Sequence, residues 1–171
     1  GILFFLLALL IFGFMDAIMK QLRADYPALF IMWVRYVFQL VAVTILLVRL
    51  GSFGLLRTTR PVLQTVRALI NVGSSFFFLT GLGYLPLADA GPLGMVSPMF
   101  VTALSVPFLR EKVGIRRWSA VIVGFIGALI IIRPGMGVVH AGALFILASA
   151  LCYASYQITT RILSTTDAPA T

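Results

Sequence analysis

Acidic residues are scarce: 5 Asp and Glu among 171 positions, with one His and one Cys. The chain has no His-Glu-x-x-His, no Gly-x-Ser-x-Gly and no Gly-Lys-Ser/Thr loop. Zinc catalysis, nucleophile-elbow hydrolysis and nucleotide-phosphate chemistry therefore lack their usual parts. A single cysteine, Cys152, excludes an intrachain disulfide and offers no metal cluster, so the redox compartment is unreadable. Charged residues make up 11% of the chain, against about 25% in ordinary soluble domains. The formal net charge of +8 would suggest nucleic acid in a soluble protein. Here the basic residues fall between apolar runs, where membrane orientation explains them, and no nucleic-acid element is visible.

What is abundant is apolar surface. Hydrophobic residues reach 61%, more than a soluble fold of this size could cover with polar groups, so the solvent is lipid. Apolar runs at about 2–19, 27–49, 62–84, 88–109, 117–132 and 141–160 predict six membrane helices. The connections between them hold the turn-formers and charges: RADYP, RLGSFGLLRTTRP, YLPLADAGP, REKVGIRR and RPGMGVVH. The fifth run is short, but Arg116 and Arg117 can snorkel and Trp118 suits the interface. Alternation marking a membrane barrel is missing, so the fold class is an all-α membrane protein, a polytopic helical bundle. Gly1 stands where an initiator Met is expected, with no basic stretch ahead of the first run, which implies that the start is missing. Asp16 and Lys20 follow where a signal-peptide cleavage site would be, so the first run reads as a span.

With the first helix starting in the cytoplasm, nine basic residues (Arg49, Arg57, Arg60, Arg67, Arg110, Lys112, Arg116, Arg117, Arg161) lie inside and three (Lys20, Arg23, Arg133) outside. That asymmetry predicts a cytoplasmic N-terminus. At an offset of 141, residues 1–22 and 142–163 share six identities, from Gly1/Gly142 and Phe4/Phe145 to Leu22/Leu163. Asp16/Gln157 and Lys20/Arg161 add similar pairs in register. Five helices separate the two starting points, so the stretches cross the membrane in opposite directions, the pattern of an inverted-topology repeat.

Residues Leu87 to Gly135 carry Pro98 in the fourth helix, Glu111 at its end, a basic turn from Gly114 to Arg117, glycines Gly124 and Gly127, and a closing Arg133-Pro134-Gly135. This stretch resembles the end of an EamA repeat of the drug/metabolite transporter superfamily. The resemblance implies one five-helix EamA repeat over residues 1–135, the first helix of a second, truncated repeat over 141–163, and a loop over 164–171. Members of this kind typically have ten helices in two inverted repeats around a central cavity, so the chain looks like a fragment lacking its last four helices. A secondary transporter in the bacterial cytoplasmic membrane follows from the resemblance, moving a small metabolite or drug-like solute by alternating access. Its partners would be that solute and the lipid bilayer, with homodimerisation, as in small four-helix relatives, the other way to complete a cavity. Those relatives carry a Glu in mid-first helix; this chain has none, which puts proton-coupled multidrug export in doubt. An intramembrane enzyme or a passive assembly subunit is the alternative, and both leave the repeat and an intramembrane arginine unexplained.

That arginine, Arg35, lies about 8 residues into the second helix, ~12 Å deep at 1.5 Å per residue. Its insertion costs about 2.5–3.5 kcal/mol at a helix centre, so it either binds a solute anion or serves a snorkelling or Asp16-paired structural role. Arg67 lies nearer the inner boundary, where snorkelling is the simpler account. Asp16 near the outer end of the first helix faces the cavity, meets Lys20 one turn on, or is hydrated. Asn71, Ser74 and Ser75 in the third helix and Ser97 and Thr102 in the fourth are uncharged groups able to line a polar cavity or to bond neighbouring helices and their own backbone. A kink at Pro98 would free a mid-membrane carbonyl, or act only on packing. Tyr153, Tyr156 and Gln157 could stack on a planar solute or form an interfacial belt. Ala120, Gly124 and Ala128 form a small-residue stripe for packing, Asp89 reads as the cap of the fourth helix, and His140 as a solvated loop residue. Cavity candidates are thus Asp16, Arg35, Asn71, Ser74, Ser97, Tyr153 and Gln157, with no metal site or cofactor implied.

Overall fold

The computed structural model describes residues 2–51, 60–94, 96–109, 113–132 and 139–164. They form helices α1 (Ile2–Asp25), α2 (Ala28–Leu50), α3 (Pro61–Tyr84), α4 (Leu87–Gly94), α5 (Ser97–Leu109), α6 (Ile115–Ile132) and α7 (Val139–Leu163), with no strand among the described residues. Glu111, Arg133-Pro134-Gly135 and the loop beyond Ser164 lie outside the described residues, as do the side chains of Ala128 and His140. Three segments, Ala28–Arg49, Pro61–Tyr84 and Ala141–Leu163, are long and apolar enough to cross a membrane, as a polytopic bundle requires.

Local chemistry sets the boundaries. Pro61 opens α3 at a position whose N–H would be unpaired anyway. Gly51 closes α2 in the left-handed conformation (φ 61°), donating its N–H back to the last turn. Leu85 is extended ahead of Pro86, which ends α3. The fourth apolar run, expected as one span, is divided into α4 and α5. Pro98 cannot donate to the ladder and its ring would strike the carbonyl of Gly94, so the helix breaks before it and Pro98 sits in the first turn of α5. The expected kink is thus an interruption, with Val96 N–H bonded to Leu93 O at 3.2 Å and Val96 O receiving Met99 N–H at 2.9 Å. Asp89, expected as the cap, instead occupies the first turn of α4, its N–H on Pro86 O, where its charge complements the helix dipole.

At the centre, α3 and α7 pack antiparallel along most of their length; α5 flanks α7, α1 and α2 flank α3, and α6 lies on α5. The contacts show the direction: Arg67 meets Tyr156, Ser74 meets Ser149, and Tyr84 stacks near Phe145. The C-terminal end of α1 meets the C-terminal end of α3 through Lys20 and Arg23, so α7 runs opposite to α1. Close approach of α3 and α7 requires glycine at two positions. A Cβ on Gly81 would lie 2.7 Å from Ile146 Cδ1, and one on Gly142 would lie 2.7 Å from Leu85 Cγ. Small residues let membrane helices gain dispersion contacts that lipid cannot supply. The seam buries Leu79, Leu82, Leu85, Leu93 and Ile146, whereas Phe38 on α2 is 73% exposed, the outward apolar face that lipid covers. Of the expected stripe on α6, Gly124 receives Met99 of α5 and Ala120 is exposed.

Candidate functional site

Arg67, Asn71 and Ser75 stand four residues apart on α3 and therefore share one face. Neighbouring helices engage the two ends of this stripe. The Arg67 guanidinium lies 5.8 Å from the centroid of the Tyr156 ring on α7, a cation–π contact. Tyr36 of α2 donates its hydroxyl hydrogen to Ser75 Oγ at 3.1 Å. Between them Asn71 is half-buried, and its amide makes no hydrogen bond to any other residue among the described residues. Tyr156 in turn stacks with Tyr153, ring centroids 5.9 Å apart. Both tyrosines line a cleft of about 380 Å³ together with Gln157, Val101, Thr160 and Arg161. A cation, an open amide and two stacked phenols offer polar and π contacts to a planar solute.

A second polar spot lies between α1 and α2. Arg35 lines an apolar cavity of about 720 Å³ together with Phe14, Met15, Met19, Phe30 and Tyr26. Asp16, half-buried, lies within electrostatic reach of the Arg35 guanidinium without forming an ion pair closer than 4.0 Å. Asp16 does not meet Lys20. Lys20 Nζ donates instead to Leu82 O and, at 2.7 Å, to Leu85 O, while Arg23 Nε donates to Leu79 O at 3.2 Å. These two cations cap the C-terminal end of α3, where unpaired carbonyls and the negative pole of the dipole favour positive charge.

The candidate residues are thus dispersed over three environments. Tyr153 and Gln157 share the α7 cleft, Asn71 lies on the α3 stripe, and Asp16 and Arg35 lie near each other on the C-terminal half of α1 and the N-terminal half of α2. Ser74 and Ser97 belong to the helix seams: Ser74 Oγ donates to Ser149 O at 3.0 Å and Ser97 Oγ to Ala150 O at 3.1 Å. Thr102 bonds its own backbone at Pro98 O. The sequence reading missed Tyr36. Its signal is a tyrosine nine residues into α2 (Ala28–Leu50), too deep for an interfacial belt.

No solved structure matches the chain. It is similar to the riboflavin transporter of Vibrio cholerae serotype O1, 32% identical over 174 residues covering 100% of this chain and 58% of that protein. The riboflavin transporter of Brucella anthropi is 33% identical over 148 residues, 86% of this chain and 52% of the relative. The S-adenosylmethionine uptake transporter of Rickettsia prowazekii is 26% identical over 158 residues, 92% of this chain and 53% of the relative. The chain spans little more than half the length of these curated relatives. Its apolar helices suit a multi-pass membrane protein, and these three relatives are named as transporters. Residues 1–133 match the EamA-like transporter family, and with that match covering most of the 171 residues, the chain belongs to this family.

Proposed function

We propose that the chain supplies one five-helix repeat, residues 1–135, and the opening helix of a second, residues 141–163, to a secondary transporter in the bacterial cytoplasmic membrane. Its N-terminus is cytoplasmic, and its two inverted repeats alternate access to a small metabolite bound between them. The solute class we favour is a planar nitrogen heterocycle, since the relatives are named for riboflavin and S-adenosylmethionine, both of which contain one. The observation that carries this reading is the Arg67–Tyr156–Tyr153 cluster, a cation over one ring of an aromatic pair beside an open cleft in the α7 wall. Aromatic faces accept any flat ring, with stacking worth about 1–3 kcal/mol per nucleobase in the best-measured cases. The test is counterflow of labelled riboflavin in proteoliposomes holding the complete protein. Saturable exchange is expected, reduced about tenfold in Tyr156→Ala at unchanged membrane level, a factor equal to ~1.4 kcal/mol. Failure to exchange any flavin or adenine-bearing solute would sink the reading.

A further inference from the structure

We infer that Asn71 reads the hydrogen-bonding edge of the transported solute, and that this edge carries a donor beside an acceptor, as in a lactam, an imide or an aminopyrimidine. The inference rests on the transport reading above and narrows its solute class from the α3 stripe that meets the cleft at Arg67 and Tyr156. Three residues of one α3 face alternate in their commitments. Arg67 is drawn to the Tyr156 ring and Ser75 accepts the Tyr36 hydroxyl, each supplied by a different neighbouring helix. Asn71, one turn from both, is half-buried in a helix apolar enough to span the membrane and has no hydrogen-bond partner among the described residues. An amide at that depth without a hydrogen bond is costly, because lipid offers it none.

Its chemistry narrows the missing partner. A primary amide presents one acceptor oxygen and two donor hydrogens in one plane, so it pairs bidentately with a flat edge that offers the complementary pair. Asparagine reads adenine edges in nucleic acids by this geometry. The aromatic pair Tyr153–Tyr156 supplies a face for the ring, and Asn71, one turn along α3 from Arg67, supplies the edge contact that a purely stacking wall lacks. A site built to bond a solute edge discriminates strongly against analogues that leave its polar group unpaired.

The test compares two probes in proteoliposomes of the complete protein: riboflavin, whose ring imide offers N–H between two carbonyls, and 3-methylriboflavin, in which that N–H is blocked. The unaltered protein is expected to show a KM at least tenfold higher for the methylated flavin. Asn71→Leu is expected to raise the riboflavin KM about tenfold with little change in maximal rate and to bring the two KM values within about twofold. Asn71→Thr, which keeps a hydroxyl but lacks the amide edge, should behave alike. A preference retained in either variant overturns the inference while leaving the transport reading standing. Equal KM values in the unaltered protein, or loss of folded protein in both variants, also overturn it, the latter by showing that Asn71 serves a helix contact. If the unaltered protein moves neither flavin, the reading beneath it falls as well.

Discussion

Ser74 and Ser149 exchange hydrogen bonds across the α3–α7 seam. Ser74 Oγ donates to Ser149 O at 3.0 Å, Ser149 Oγ donates to Ser74 O at 2.9 Å, and the two hydroxyl oxygens lie 3.3 Å apart. Both residues are buried, and the pair sits one helical stretch away from the Gly81–Gly142 approach that brings the backbones together. Intramembrane hydrogen bonds of this kind contribute about 0.6 kcal/mol on average and up to ~1.7 kcal/mol. Ser74→Ala and Ser149→Ala are each expected to destabilise the complete protein within that range in detergent unfolding. The double variant should cost somewhat less than the sum of the two, because either single change already removes the contact between the two hydroxyls. Strict additivity would show that the two hydroxyls act independently.

Lys20 is expected to matter for stability rather than for transport. Its two bonds to Leu82 O and Leu85 O tie the end of α1 to the end of α3, and hydrogen bonds to charged groups contribute about 1.5–3 kcal/mol each where they are shielded from water. Partial exposure places the combined loss at the lower end of that range. Lys20→Met should lower the melting temperature of the purified complete protein, and Lys20→Arg should retain most of it. A Lys20→Met protein as stable as the parent would show that Arg23 suffices as the cap.

Arg35 and Asp16 are expected to be thermodynamically coupled. Removing the guanidinium in Arg35→Ala leaves the Asp16 carboxylate without its nearby opposite charge, so the folded level in the membrane should fall. Combining Asp16→Ala with Arg35→Ala should recover part of the loss, with a coupling of about 0.5–3 kcal/mol. Arg35→Lys keeps the charge but loses the planar fork, so folded protein should stay near normal. A drop in transport in Arg35→Lys at a near-normal folded level assigns the fork to a solute anion. Unchanged folding and transport in all three variants would reduce Arg35 to a snorkelling side chain.

The proposed orientation is checked with a reporter that is active only outside the cytoplasm. Activity is expected after fusion at Ala24 or Ala88 and none after Gly54 or Gly114. The nine-to-three distribution of Lys and Arg motivates the expectation. Two of the three basic residues that this orientation assigns to the outer side, Lys20 and Arg23, are held by α3 carbonyls, which gives them a structural reason to be there. The reverse activity pattern would remove the cytoplasmic N-terminus.

The sequence by itself determined the class of solvent, the helical fold and the family. Runs of about twenty apolar residues have one stable home, and within lipid a backbone must bond to itself as a helix or a closed barrel. Pro98 announced a disturbance in the fourth run, although a proline signals where a ladder fails and not whether the helix bends or stops. The rotation of each helix about its axis was not legible, because an all-apolar surround leaves no polar face to read. Ser74 and Ser75 illustrate the consequence: adjacent in sequence and about 100° apart around α3 at 3.6 residues per turn, one is spent on the α7 seam and the other on Tyr36. Only the packing of α3 against α7, set by Gly81, Gly142 and the leucines around them, decided which polar groups hold helices together. The same packing left Asn71 open, since a hydrogen-bonding group in lipid is structural or available according to what its helix happens to face.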